Sequence, residues 1–204
     1  MTAVEPTLRR EYLRRCIDQR GVYRVRPTEP RLLGKAPGTV YSWQFYLRRC
    51  LFDPVFLTAC VHELALKIPS GEVQFAGVED AGVVLAAALG HHYNQPWLSV
   101  KKQRKVYGLH NWLEGRTTGL PIVLVDDLAG SQRSLKTAAQ TLTALRLPLA
   151  DFYVTVVNKT RGTHAANYLE DRRLISLFNC DDFALTYDEY CAEYGVEPNF
   201  GPVY

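Results

Sequence analysis

One stretch of the chain, residues 120–143, constrains the fold more than any other. It opens with an apolar run at residues 122–125 in which only Leu124 is not β-branched. Such a run is typical of a strand buried on both faces of a parallel sheet. Two adjacent carboxylates, Asp126 and Asp127, come next, and a short polar loop and a helical repeat of apolar residues follow. The predicted order is therefore strand, acid pair, loop and helix.

This order predicts a ligand site. Ligands of open α/β sheets bind outside the carboxyl ends of the strands. A loop that leads into a helix also offers unpaired N–H groups and the positive end of the helix dipole, which suit a phosphate. The predicted loop consists of Ala129, Gly130, Ser131, Gln132, Arg133 and Ser134. Asp126 and Asp127 can either accept hydrogen bonds from sugar hydroxyls or ligate Mg²⁺, and both interpretations stay open.

The remaining patterns predict an α/β protein with a parallel sheet and flanking helices. Further strands are predicted at residues 43–47, 73–78, 97–100, 151–157 and 174–177. Helices are predicted at residues 6–20, 54–68, 83–89 and 187–194. A length of 204 residues suits a single domain that spans residues 1–204.

Composition excludes several classes of protein. A net charge of +3 indicates neither a nucleic-acid-binding nor a membrane-surface protein. No apolar run approaches the length of a membrane span. The five cysteines are scattered without a C-x-x-C spacing, which indicates reduced thiols and a cytoplasmic location. The tandem pair His91-His92 invites a metal-binding interpretation, but no acidic or thiol partner lies at ligand spacing, so an ordinary helix end is preferred.

A basic cluster follows the predicted strand at residues 97–100. Lys101, Lys102, Arg104 and Lys105 repel one another unless an anion binds. The cluster is either a solvated charged surface or a mobile loop that closes over a polyphosphate and stabilises a leaving pyrophosphate. Its position between this strand and the acid-pair strand favours the loop.

These segments together resemble the type I phosphoribosyltransferases, and within them the orotate phosphoribosyltransferases. Residues 122–134 are similar to the acid pair and phosphate loop of the superfamily, and residues 101–108, followed by Glu114-Gly115, resemble the basic flexible loop of the orotate enzymes. Residues 75–82 look like the family's glycine-containing pyrophosphate turn, and residues 46–48 are a weaker match.

The resemblance implies an α/β, parallel-sheet type I phosphoribosyltransferase fold with flanking helices and a small N-terminal hood in residues 1–45. It implies a homodimer, in which the basic loop reaches the neighbouring site, that transfers phosphoribose from 5-phosphoribosyl diphosphate (PRPP) to a pyrimidine-like base with Mg²⁺. The implied catalytic residues are Asp126, Asp127 and Lys105, with both aspartates holding the metal directly or through water. The implied PRPP-binding residues are Lys101, Lys102, Tyr107, Glu79, Asp80, Ala129, Gly130, Ser131, Gln132, Arg133 and Ser134. Lys35, Lys159 and Arg161 are the candidates for contact with the base.

The chain departs from the family pattern at the phosphate loop. Residues 130–133 read Gly-Ser-Gln-Arg where the family has a pattern like Thr-Ala-Gly-Thr, and Tyr107 replaces the histidine of the basic loop. Arg133 either pairs with the phosphate or fills its site. Two hypotheses follow: an active phosphoribosyltransferase, or a non-catalytic relative that binds PRPP or a nucleotide and acts as a regulator.

Overall fold

A computed structural model describes residues 6–26, 28–30, 32–33, 40–41, 43–103, 111–130, 132–159 and 168–183. The predicted helix at residues 187–194 lies outside these residues. So do the site candidates Lys35, Lys105, Tyr107, Ser131 and Arg161.

A seven-stranded sheet forms the centre of the described structure. Its strands are β5 (Gln74–Val78), β6 (Trp97–Val100), β7 (Leu113–Glu114), β8 (Ile122–Ala129), β9 (Phe152–Asn158), β10 (Tyr168–Leu169) and β11 (Arg172–Asn179), in the spatial order β10-β11-β9-β8-β5-β6-β7. The five central strands are parallel, and the two edge strands pair antiparallel. The sheet is therefore not wholly parallel, because β7 runs antiparallel to β6 and β10 runs antiparallel to β11.

Helices cover both faces of the sheet. The helices are α1 (Pro6–Cys16), which continues into a π-helical turn (Ile17–Gly21), α2 (Arg48–Leu51), α3 (Pro54–Ala65), α4 (Ala81–Tyr93) and α5 (Arg133–Ala144). Side chains of α1, α3 and α4 pack on one face around Phe75 and Val123, and α5 packs on the other around Leu124 and Tyr153. Every residue of β5 and β9 is buried, as expected for central strands that are covered on both sides.

Local sequence signals explain where α3 begins and where α4 ends. The Asp53 side chain accepts hydrogen bonds from the N–H groups of Val55 and Phe56, and Pro54 occupies the first turn, so α3 begins there. Helix α4 ends at Asn94, which adopts the left-handed conformation (φ 51°) that commonly terminates helices.

Short strands near the N-terminus form the expected hood. β1 (Val22–Arg24) pairs antiparallel with β4 (Trp43–Phe45), and β2 (Leu32–Leu33) pairs antiparallel with β3 (Val40–Tyr41). The ring of Phe45 contacts that of Phe183 in an edge-to-face arrangement, with centroids 5.3 Å apart. The hood is thereby attached to the segment that follows β11.

The central predictions are confirmed, and the boundary errors have physical causes. The strand at residues 97–100 is as predicted, whereas β8 continues beyond residue 125 to Ala129. The extension occurs because Asp126, Leu128 and Ala129 pair with β9, a contact that an apolar pattern does not reveal. Among the described residues, no helix combines the length and the apolar character that a bilayer crossing requires.

Candidate active site

Asp126 and Asp127 lie inside β8, near its carboxyl end, and do not follow the strand. Successive side chains of a strand point to opposite faces. Of the two aspartates, Asp126 is only 5% exposed, whereas Asp127 is half-buried. The two carboxylates thus occupy different environments at the same edge of the sheet.

The surroundings of Asp126 disfavour its charged form. The backbone N–H of Asp127 donates a 2.9 Å hydrogen bond to Oδ1 of Asp126. Burial raises the pKa of Asp126 well above its usual value, the charge of Asp127 adds to this, and the positive charge of Lys102 acts in the opposite direction. Asp127 is therefore the more accessible carboxylate for a sugar hydroxyl or a cation.

The loop after β8 is shorter than predicted. Ala129 belongs to the strand, and Arg133 and Ser134 belong to the first turn of α5, so only residues 130–132 connect the two elements. Gln132, at the position of the family's glycine, has φ 56°, which is left-handed backbone that glycine adopts most readily. The loop thus keeps a glycine-like backbone at a residue with a long side chain, and Arg133 beside it is exposed.

Two glycines bring the turn between β5 and α4 close to the acid pair. A Cβ on Gly77 would lie 2.4 Å from Cα of Val83, and a Cβ on Gly82 would lie 2.3 Å from the carbonyl oxygen of Val125. Helix α4 therefore packs against β5 and β8 at a distance that only glycine permits. This contact brings the start of α4 against Val125 and Asp126 of β8. The turn residues Glu79 and Asp80, joined by a cis peptide bond, directly precede that helix.

Arg48, in the weakly matching segment 46–48 but absent from the predicted site residues, contacts the turn between β5 and α4. Its Nη2 lies 3.0 Å from Oδ2 of Asp80, and its guanidinium lies 5.9 Å from the ring centroid of Tyr46. The short helix α2 is thereby joined to the turn that the resemblance assigns to pyrophosphate. The weak match at residues 46–48 was the only signal for this contact.

The two described lysines of the basic cluster have different surroundings. Nζ of Lys101 pairs with Oε1 of Glu114 across the β6–β7 hairpin, and the lysine is only 5% exposed. Its backbone N–H donates to the carbonyl of Trp112. Lys102 is exposed. Lys101 therefore differs from the expected loop cation, because the hairpin places a carboxylate over it, whereas Lys102 keeps the expected exposure.

Lys159 is the described candidate for contact with the base. It follows β9, its backbone N–H donates to the carbonyl of Ala129, and its Nζ lies 5.2 Å from the ring centroid of Trp43 in the hood. Lys159 therefore lies where the carboxyl edge of the sheet meets the hood.

A pocket of about 490 Å³ opens beside the β5–α4 turn, on the side of β6 and β7. Its lining residues are Glu79, Asp80, Val83, Trp97, Ser99, Glu114 and Gly115. Within the described ranges, no three His, Cys, Asp or Glu side chains are grouped so as to hold a metal ion. A metal at this edge would thus need oxygen ligands from a bound substrate or from water as well as from the protein.

The known proteins that this chain resembles include orotate phosphoribosyltransferases from several organisms. The chain is 35% identical over 102 residues to the orotate phosphoribosyltransferase of Halobacterium salinarum, a match that covers 48% of this chain and 58% of that protein. It is 32% identical over 136 residues to the orotate phosphoribosyltransferase of Methanopyrus kandleri, covering 67% of this chain and 73% of that protein. No protein-family model matches the chain.

Solved structures agree on the fold. The orotate phosphoribosyltransferase of Mycobacterium tuberculosis H37Rv superposes with a TM-score of 0.69 at 20% identity, covering 86% of this chain and 99% of that chain. The same enzyme in complex with PRPP superposes with a TM-score of 0.64 at 20% identity, covering 85% and 98%. The type I phosphoribosyltransferase fold predicted from the motifs is confirmed. Together with the identity to the Methanopyrus enzyme, these findings show that the chain belongs to the orotate phosphoribosyltransferase family.

Proposed function

We propose that this protein transfers a phosphoribosyl group from PRPP to orotate or a similar pyrimidine base and releases pyrophosphate. The observation that carries the proposal is the alignment of three neighbouring parallel strands, β8, β5 and β6, at one edge of the sheet. Their carboxyl ends bring together the acid pair, the turn with Glu79 and Asp80, and the exposed Lys102, whose charge acts on Asp126. Relatives named orotate phosphoribosyltransferase and the neighbour with bound PRPP support the same substrate.

In this reaction the protein contributes mainly by positioning the reactants and by stabilising charge. The bond from the sugar C1 to pyrophosphate breaks, a bond from C1 to the base nitrogen forms, and the sugar carries positive charge in between. Asp127 accepts hydrogen bonds from the ribose hydroxyls, and the N–H groups at the start of α5 hold the 5′-phosphate. Lys102 stabilises the negative charge that develops on the departing pyrophosphate.

The residues at this edge fit Mg²⁺, which prefers oxygen ligands and keeps several waters. The half-buried Asp127 would hold the ion, directly or through water, because the raised pKa of the buried Asp126 makes that carboxylate a poorer ligand. When bound, Mg²⁺ would neutralise charge on the pyrophosphate oxygens.

Further parts of the proposal follow from the resemblance. We propose a homodimer in which Lys105 and Tyr107 of the basic loop reach the neighbouring site, and a role in pyrimidine biosynthesis in the cytoplasm. The described cysteines Cys16, Cys50 and Cys60 are buried and unbridged, which fits a reducing compartment. Lys159 is the described candidate for contact with the base carboxylate, with Lys35 and Arg161 as further candidates.

A second candidate function is a PRPP- or nucleotide-binding regulator without catalytic activity. Gln132 and Arg133 favour it, because two long side chains occupy the loop where small residues would leave room for a phosphate. The retained acid pair and the exposed Lys102 favour the enzyme, since a pure scaffold needs neither.

The test is an assay with PRPP, Mg²⁺ and orotate that follows orotate absorbance and pyrophosphate release, together with calorimetric titration of PRPP. We expect binding and turnover, both strongly reduced in Asp127→Asn and unchanged in Asp151→Asn, an exposed aspartate before β9 at the opposite edge. Binding without orotate-dependent turnover would leave only the regulator or an enzyme with a different acceptor. Absence of PRPP binding at millimolar concentration would refute the enzyme and leave only a nucleotide binder or a plain scaffold.

A further inference from the structure

Two histidines from different helices meet at the surface of the protein. His62 lies in the last turn of α3 and His92 in the last turn of α4, and their ring centroids are 5.3 Å apart with the planes inclined by 50°. The hydroxyl of Tyr93 donates a 3.3 Å hydrogen bond to the carbonyl of Ala65. This bond holds the ends of the two helices together, so the histidine pair belongs to a fixed helix contact.

The separation of the rings suits chelation of one cation. Two imidazoles that bind a tetrahedral metal through nitrogens about 2.1 Å from it have ring centroids roughly 5 Å apart. The observed 5.3 Å agrees with this geometry. His92 is exposed and His62 is half-buried, so a hydrated cation can reach both rings from solvent.

The local electrostatics favour a positive ion. The last turn of a helix carries partial negative charge on its unpaired carbonyls, and both histidines lie in such turns.

We propose that His62 and His92 form a two-histidine site for a divalent transition cation of the Ni²⁺ or Zn²⁺ class, completed by water. The site is open rather than a closed structural centre, because the described residues contain no group of three or more His, Cys, Asp or Glu ligands. It is also separate from the acid pair. Helix α4 begins at the carboxyl edge of the sheet, and His92 lies about 18 Å along it, towards the opposite edge.

The ligand type separates the two sites chemically. Imidazole binds nickel, zinc and copper ions, whereas Mg²⁺ is taken by carboxylate, carbonyl and water oxygens. In a titration with excess Mg²⁺, Mg²⁺ competes with Ni²⁺ for the carboxylates of the acid pair but not for the histidines. The Ni²⁺ binding that remains therefore reports on the histidines. Nickel is also a better probe than zinc here, because thiolates select zinc.

The experiment is a calorimetric titration of the full chain, without an affinity tag, with Ni²⁺ in excess Mg²⁺. We expect one tight Ni²⁺ per chain and an affinity reduced by about tenfold or more in His62→Ala and in His92→Ala, since each removes one of two imidazole ligands. His91→Ala is the matched control, because His91 is an exposed histidine on the same helix and is not paired with His62. We expect it to change the affinity less than about twofold.

A second variant keeps the test independent of folding. His92→Gln preserves most of the side-chain volume at an exposed position, and its thermal midpoint without metal should match that of the unmodified protein. Ni²⁺ should raise the midpoint of the unmodified protein and of His91→Ala but not that of His92→Gln. Failure to bind Ni²⁺, or equal binding by His92→Gln and the unmodified protein, would overturn the proposal.

Discussion

The backbone N–H of Asp127 donates a 2.9 Å hydrogen bond to Oδ1 of Asp126, so the half-buried member of the acid pair helps to hold the buried one. Burial, with the charge of Asp127 as the second cause, raises the pKa of Asp126 well above its usual value. One carboxylate of the pair is therefore costly to ionise, while the other is open to a ligand.

Replacing Asp126 by asparagine should change how stability depends on pH. Because the folded-state pKa is raised, the folded protein binds this proton more tightly than the unfolded chain. The corresponding stability is fully present below the unfolded pKa of about 3.9 and is lost as pH rises through the folded pKa. We expect Asp126→Asn to become more stable than the unmodified protein across that window, by up to about 1.4 kcal/mol per pH unit.

Urea unfolding at a series of pH values measures this difference, and the other titrating groups cancel between the two proteins. Asp151→Asn, at an exposed position, serves as the control and should leave the pH dependence almost unchanged. A constant gap between Asp126→Asn and the unmodified protein from pH 4 upwards would show that Asp126 does not titrate as described.

Substitutions of the two described lysines of the basic cluster should affect different properties. Loss of Lys101 should lower stability, and loss of Lys102 should weaken ligand binding. Lys101→Ala removes a buried side chain from its pair with Glu114 and should cost about 1–3 kcal/mol of unfolding free energy. Lys102→Ala, at an exposed position, should change stability by less than about 0.5 kcal/mol but weaken PRPP binding. Urea unfolding and PRPP calorimetry on both variants test this, and the reverse pattern would contradict the structural role of Lys101.

The left-handed backbone at Gln132 gives a prediction that is independent of function. Both Gln132→Gly and Gln132→Ala remove the side chain, but only glycine adopts φ 56° without steric cost. We expect the glycine variant to be more stable than the alanine variant by about 1 kcal/mol. At Gln140, an exposed position inside α5, the order should reverse, because glycine is about 1 kcal/mol worse than alanine within a helix. Equal stability of the two Gln132 variants would argue against the left-handed conformation.

The sequence predicted those parts of the fold that depend on local pattern. The run at residues 97–100 is a strand with the predicted bounds, because its apolar residues stop where charged ones begin. The same rule ended β8 too early at residue 125, because Asp126, Leu128 and Ala129 continue the strand by pairing with β9.

The parts that could not be predicted depend on contacts between distant segments. Lys101 is buried because the hairpin brings Glu114 to it, and charge alone gave no sign of this. The tandem His91-His92 has no ligand partner at nearby sequence spacing, whereas the structure places His62 of another helix beside His92. Local spacing does not detect a pair of ligands that come from two packed helices.

Arg48 should act on PRPP binding through the turn that it contacts. Its ion pair with Asp80 is largely exposed, so Arg48→Gln should lower the unfolding free energy by less than about 1 kcal/mol. The same change removes the contact that joins α2 to the β5–α4 turn, and we expect PRPP affinity to fall several-fold. Arg49→Gln is the matched control, because Arg49 lies over the rings of Tyr23 and Tyr46 instead.

Calorimetric titration of PRPP with the two variants, each checked by urea unfolding, decides whether Arg48 positions the turn. A weaker affinity in Arg48→Gln alone, at matched stability, supports a positioning role, because general loss of packing would affect both variants. Restoration by Arg48→Lys would show that charge at this position is sufficient, whereas a loss that persists in the lysine variant would assign the effect to the guanidinium fork that contacts Asp80. Equal affinities in the glutamine variants would instead mean that the turn keeps its conformation without α2, held by the close packing of Gly77 and Gly82 alone.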